Sequence, residues 1–171
     1  LAQLSSLCKW RVVCLMLLTA VIGMAMVPSQ FWRLDLCING LLGITLSACS
    51  GGIMNQVFER EIDAKMSRTA RRPLAQSTVP IETAIQTAIL FMIASIIILY
   101  FFVNPLTCRL TTATMFGYSV IYTKVLKPLT CQNIVIGGLF GAMPPLLGWT
   151  ALTNTVSALP LIMVAIIFTW T

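Results

Sequence analysis

Apolar residues in this chain fall into six long blocks separated by short polar stretches. They run from about Val12 to Val27, Leu34 to Val57, Ile81 to Val103, Leu106 to Tyr122 and Asn133 to Leu152, and a sixth starts near Val156 and is still apolar at Thr171. A helix needs about 20 predominantly apolar residues to cross a bilayer, and in lipid a helix satisfies its own backbone hydrogen bonds. The pattern predicts an all-α fold, a polytopic transmembrane helix bundle with six helices in one domain over residues 1–171.

Composition agrees with that solvent. Hydrophobic residues make up 58% of the chain and charged residues 9%, against about 25% charged in a soluble domain, so too little charge remains to cover a water-facing surface. Because the chain starts at Leu1 and ends inside an apolar block, it reads as an N-terminal piece of a longer membrane domain. Between Val27 and Ser29 there is a proline rather than the small-residue cleavage site of a signal peptide.

The net charge of +6 is distributed unevenly. Lys9 and Arg11 precede the first block, Arg60, Lys65, Arg68, Arg71 and Arg72 follow the second, and Lys124 and Lys127 follow the fourth. Nine of the eleven basic residues thus fall on one side, and only Arg33 and Arg109 on the other. The positive-inside rule puts the nine, and the N-terminus, in the cytoplasm or the mitochondrial matrix. A bacterial inner membrane is the preferred location. Basicity of this kind reflects topology and argues against nucleic acid as a partner. The six cysteines form no C-x-x-C pair and histidine is absent, so the cysteines read as small apolar residues packed in helices. Glu82, in the first turn after Pro80, reads as a structural acid favoured by the helix dipole.

Candidate chemistry gathers between Asn55 and Pro73, a stretch holding three of the five acidic residues. Asn55, Glu59 and Asp63 recur every fourth position, which on a helix places them within about 80° of one another and roughly 6 Å apart along the axis. Hard oxygen donors on one face at a membrane boundary suit Mg²⁺, which is bound by one or two carboxylates with waters and substrate phosphates. The basic residues that follow suit a diphosphate. A charged loop obeying the positive-inside rule accounts for the arginines but not for the carboxylates on one face.

Asn-x-x-x-(Asp/Glu)-x-x-x-Asp followed by Arg-Thr-x-x-Arg-Pro-Leu resembles the first aspartate-rich motif of the intramembrane UbiA-type prenyltransferases. Here it is carried by Asn55, Glu59, Asp63, Arg68, Thr69, Arg71 or Arg72, Pro73 and Leu74. Glu59 at the middle position and Met66 resemble the heme O synthase branch. So does the second stretch, Tyr122-Thr-Lys124-Val-Leu-Lys127-Pro-Leu-Thr130, with Gln132-Asn133, Gly137-Gly138, Gly141, Pro144-Pro145 and Gly148-Trp149 after it. Lys9-Trp10-Arg11 and Asn104-Pro105-Leu106-Thr107 are shorter similarities. Trp10 stands where that family often has proline, and Pro128 where a basic residue is common.

The resemblance implies a nine-helix fold of which six helices are present, and an activity: transfer of a farnesyl group from farnesyl diphosphate to a vinyl group of heme B. It implies Mg²⁺ as cofactor and farnesyl diphosphate, heme B and the lipid bilayer as partners. It assigns Asn55, Glu59 and Asp63 as metal-holding catalytic residues. Arg11, Lys65, Arg68, Arg71, Arg72, Tyr122 and Lys127 become candidate diphosphate contacts. The family's second polar motif lies beyond the sixth helix, so the segment alone is expected to be inactive. A UbiA-type enzyme acting on a quinone precursor, and a non-enzymatic membrane transporter, stay open as alternatives.

Overall fold

The computed structural model describes residues 7–67, 69–126 and 133–170, with the backbone only for 124–126 and 133. The described residues form helices joined by turns, the longest connection running from α2 to α3. Helix α1 spans Trp10–Ala25, α2 Leu34–Lys65, α3 Ile81–Phe102, α4 Pro105–Phe116, α5 Asn133–Ala142, α6 Pro144–Thr153 and α7 Ala158–Trp170. A short 3₁₀ turn, Ser29–Phe31, links α1 to α2. Helix α4 runs on into a wider π-helical stretch over Gly117–Leu126. These elements match the six apolar blocks, with α5 and α6 together forming the fifth. Helices α2, α3 and the combined Ile134–Thr153 segment are each long and apolar enough to cross a membrane, while α1 and α7 are shorter apolar helices. The outward surface is apolar: Leu90, Phe101, Ile134 and Ile166 are all more than 60% exposed. A soluble bundle buries such residues, so this surface faces lipid, and the protein is an integral membrane protein.

At 32 residues, α2 is about 48 Å long at the usual rise per residue. A bilayer's hydrocarbon core is about 30 Å thick, so its last turns extend beyond the apolar layer. The helix does not stop at Val57, where the apolar pattern ends, but carries the acidic motif as continuous helix to Lys65. It terminates where Met66 turns extended, and the Thr69 hydroxyl donates to the Asp63 carbonyl.

Small residues set the packing. Ser50 Oγ donates to the Ala88 carbonyl of α3, and Ser95 Oγ of α3 donates back to the Gly43 carbonyl of α2, both at 2.7 Å. Close backbone approach and interhelical hydrogen bonds of this kind hold helices together where lipid competes for apolar contact. Helices α1 and α6 meet more closely still. A Cβ on Gly23 falls 2.1 Å from the Pro145 carbonyl oxygen, and one on Gly148 falls 2.1 Å from that of Ala20. The Pro144-Pro145 pair interrupts the fifth block at Met143, which keeps helical dihedrals, so the chain bends there without reversing. At the opposite end from the acidic motif, Asn104 caps α4 by accepting the Thr107 N–H. Its amide group donates to the Thr150 and Ala151 carbonyls at the end of α6.

Candidate active site

The four-residue spacing of Asn55, Glu59 and Asp63 puts all three side chains on the inner face of α2, and all three are buried. Asn55 Nδ2 donates to Glu59 Oε1 at 2.9 Å and to Thr123 Oγ1 at 3.1 Å. Its Oδ1 accepts from the Lys9 ammonium. Arg72, from the turn after α2, brings one guanidinium nitrogen 2.5 Å from Asp63 Oδ2 and 3.4 Å from Glu59 Oε2. Two carboxylates, an amide and two cations therefore form one cluster, assembled from the segment before α1, the end of α2, the following turn and the π-helical stretch.

Thr123 reaches this cluster because of the π-helical geometry. Its hydroxyl donates to the Tyr118 carbonyl five residues back, and π-helical turns are frequent at functional sites. In the same stretch Tyr118 and Tyr122 stack with centroids 5.5 Å apart. Gly137 makes room for the second ring, since a Cβ there falls 2.5 Å from it.

Beside the cluster lies a cavity of about 600 Å³. Lys9, Gly52 and Tyr118 line it next to the polar group, and Ile44, Thr111 and Leu147 line it further along the same helices. Helix α7 contributes Ile166 and Ile167. Through Lys9, which belongs to both, the polar cluster thus adjoins an apolar chamber between helices.

Of the residues singled out from sequence, Asn55, Glu59, Asp63 and Arg72 are brought together. Tyr122, the chain neighbour of Thr123, is stacked on Tyr118. Arg11, Lys65 and Arg71 are exposed. Arg68 and Lys127 lie outside the described residues. Sequence reasoning passed over Lys9, Tyr118 and Thr123. Lys9 shares a triplet with Arg11, and only its backbone, at φ 50°, turns its side chain toward Asn55.

The chemistry of the donor set decides which cation it suits. Among the described residues no three His, Cys, Asp or Glu side chains come together. The set is two carboxylates and one amide, hard oxygen donors in the number Mg²⁺ takes from a protein when substrate phosphates and waters complete its shell. Arg72 bridges the two carboxylates, so they lie close enough to share one positively charged group. The residues fit the ion.

Fold and site together define an intramembrane helical protein with a polar cluster of acids and cations beside an apolar chamber. The UbiA prenyltransferase family model matches residues 16–171, and the chain belongs to that family. Protoheme IX farnesyltransferase from Idiomarina loihiensis is 48% identical over 165 residues, which are 96% of this chain and 55% of that protein. Protoheme IX farnesyltransferase from Legionella pneumophila is 47% identical, with 96% and 56% covered. The chain spans about half the length of these curated relatives. Among solved structures, a UbiA homolog from Archaeoglobus fulgidus bound to DMAPP and Mg²⁺ superposes with a TM-score of 0.80 at 15% identity, covering 98% of this chain and 61% of that one. The same homolog bound to GPP and Mg²⁺ gives 0.79, with 60% of that chain covered. These two share the fold.

Proposed function

We propose that this chain forms the first half-site of a heme farnesyltransferase, which transfers farnesyl from farnesyl diphosphate to a vinyl group of heme B and yields heme O. The observation that carries this reading is the buried Asn55–Glu59–Asp63 face, with Lys9 and Arg72 on it, opening beside an apolar chamber. The relatives named protoheme IX farnesyltransferase supply the substrates.

Asn55, Glu59 and Asp63 hold Mg²⁺, which when bound neutralises charge on the departing diphosphate. Lys9 and Arg72 present ammonium and guanidinium donors to the phosphate oxygens, preorganised for charge that grows in the transition state. Lys65, Arg68, Arg71 and Lys127 remain candidates for the same role, and Arg11 ranks behind Lys9. The apolar chamber takes the isoprenoid chain and keeps water from the allylic C1 as its bond to oxygen lengthens. The heme vinyl group then attacks C1, and water adds to the resulting cation to leave a hydroxyethylfarnesyl side chain. Tyr118, backed by the stacked Tyr122 ring, forms part of the wall on the α4 side. The basic end faces the cytoplasm, and the membrane is the bacterial inner membrane.

The test uses the full-length protein in cells lacking their own heme O synthase. Heme extracts separated by chromatography should contain heme O. Accumulation of a prenylated aromatic acid in its place would assign the protein to quinone-precursor chemistry, and no prenylated product would defeat the reading.

A further inference from the structure

The segment before α1 lies along α2 as a strap, fastened from the turn of α2 that also carries Asn55. Gln56 Nε2, on a side chain buried to 1% exposure, donates to the Leu7 carbonyl at 2.8 Å. Gly52, one turn earlier, lets the strap lie close, since a Cβ there falls 3.3 Å from the Cys8 carbonyl oxygen. Leu7 and Cys8 are buried with Val13, Ile53 and Val57 in one apolar cluster. Lys9 comes next, and its own carbonyl accepts the Val12 and Val13 N–H groups that open α1. Its backbone is left-handed, at φ 50° and ψ 50°. That conformation is unfavourable for a residue with a Cβ and persists only where the surroundings over-determine it. Here Gln56 and Gly52 fix the chain on one side of Lys9, and the first turn of α1 fixes it on the other. The side chain held between them reaches Asn55.

We propose that Gln56 is a positioning residue: by gripping the Leu7 carbonyl it sets the strap's place on α2 and so aims the Lys9 ammonium at the polar cluster. An apolar side chain would fill this buried position without the desolvation an amide suffers. What the amide adds is a bond to backbone outside its own helix. Asn55 and Gln56 are consecutive on continuous helix, so the polar ligand and the grip on the strap are held in fixed relation. A lysine ammonium is a compact charge on a flexible four-carbon stem, and its position is only as definite as that of the backbone carrying it. Cys8 and Lys9 also line the apolar chamber, so the same grip sets part of the chamber wall.

Loss of the Gln56 donor leaves the Leu7 carbonyl buried and unpaired, a costly arrangement that the strap relieves by shifting. Lys9 shifts with it, and misplacement of a positioned group by about 1 Å can cost roughly 10²-fold in rate. The effect on turnover rests on the proposed function, whereas the placement of Lys9 does not.

The experiment uses the full-length protein in detergent and reads Lys9 directly. N-hydroxysuccinimide acetate is added in limiting amount, and acetylation of Lys9 and Lys65 is followed by mass spectrometry of peptides. In wild type Lys9 should react several-fold more slowly than Lys65, because it is half-buried and bonded to Asn55 whereas Lys65 is exposed. Gln56→Leu, which keeps the bulk and removes the donor, should speed acetylation of Lys9 and leave Lys65 unchanged. Gly52→Ala, a milder change that crowds the Cys8 carbonyl from a second position, should act in the same direction by a smaller factor. Gln56→Leu should also lower kcat/KM for farnesyl transfer, per folded protein, by about tenfold or more. That loss should vanish in a Lys9→Met background, because residues that act through one another are not additive. Unchanged Lys9 acetylation in both Gln56→Leu and Gly52→Ala would overturn the proposal, as would full additivity of Gln56→Leu with Lys9→Met. Absence of heme farnesylation in the wild type would count against the proposed function instead, and the acetylation rates would still decide what places Lys9.

Discussion

One guanidinium nitrogen of Arg72 lies 2.5 Å from Asp63 Oδ2 and 3.4 Å from Glu59 Oε2, so a single side chain from the turn after α2 pairs with both buried acids. Removing one partner of a buried ion pair leaves an uncompensated charge, at a cost of about 3–5 kcal/mol. Arg72 itself is 26% exposed, which favours the low end of that range. Arg72→Ala should therefore lower the melting temperature of the detergent-solubilised protein. Mg²⁺ should restore more stability to Arg72→Ala than to wild type, because the ion supplies the missing positive charge. An equal response of both proteins to Mg²⁺ would separate the carboxylates from any metal role.

Asp63 carries a second prediction. It is the acid nearest Arg72 and its carbonyl also anchors Thr69. Asp63→Ala keeps that backbone carbonyl, so the turn should survive while the side-chain oxygens are lost. Groups that stabilise a departing anion act mainly in the transition state, and their removal costs about 10²-fold or more. In the full-length protein, heme O formation should drop by at least that factor at unchanged membrane yield. Near-normal heme O would remove Asp63 from the mechanism.

The acids and the basic strap differ in how far the sequence reveals them. Six apolar blocks and a four-residue recurrence are local periodicities, and a helix converts them directly into spans and a shared face. Whether Lys9 or Arg11 meets Asn55 is not local. It depends on the backbone at Lys9 and on Gln56 gripping the Leu7 carbonyl from another helix. Thr123 joins the cluster because residues 117–126 are π-helical, and an apolar pattern is the same for either helix type. The glycines show the same division. Gly137 and Gly141 have the spacing of a helix-packing pair, yet the tightest backbone approaches are at Gly23 and Gly148, on helices that are not neighbours in sequence.

Gly148→Leu follows from that packing. Its side chain would have to occupy the space of the Ala20 carbonyl on α1, and backbone cannot yield as a side-chain tip does. Overpacking of a well-filled core typically costs about 1–3 kcal/mol, and a clash with backbone belongs at the upper end. Thermal unfolding in detergent should show a clear loss for Gly148→Leu. A melting temperature within error of wild type would show that α1 and α6 are not held this closely.

Orientation is tested with reporter cysteines at two exposed positions, Gln30→Cys between α1 and α2 and Arg71→Cys after α2. In a background freed of other cysteines, the basic-residue asymmetry predicts labelling of residue 30 from the periplasmic side and of residue 71 only after the membrane is opened. Labelling of residue 71 in intact cells would reverse the topology.

Gly141 offers the most direct handle on the chamber. It lies on the cavity wall, and a Cβ placed there meets nothing within 4 Å, whereas one on Gly137, a turn earlier, collides with the Tyr122 ring. Gly141→Leu should fold with a stability close to wild type, since its side chain enters open space and a glycine inside a helix is itself unfavourable by roughly 0.5–1 kcal/mol relative to alanine. The same side chain removes volume from the chamber proposed to hold the isoprenoid. Use of geranyl diphosphate should therefore survive better than use of farnesyl diphosphate, shifting the ratio of their kcat/KM values by tenfold or more, because a filled pocket rejects the longer chain by steric overlap and not by lost contact. Gly141→Ala should lie between the two. The measurement is competition between the two diphosphates on heme B, read by mass spectrometry of the products. An unchanged ratio in a folded Gly141→Leu protein would place the isoprenoid elsewhere, and the apolar cavity would then need another occupant.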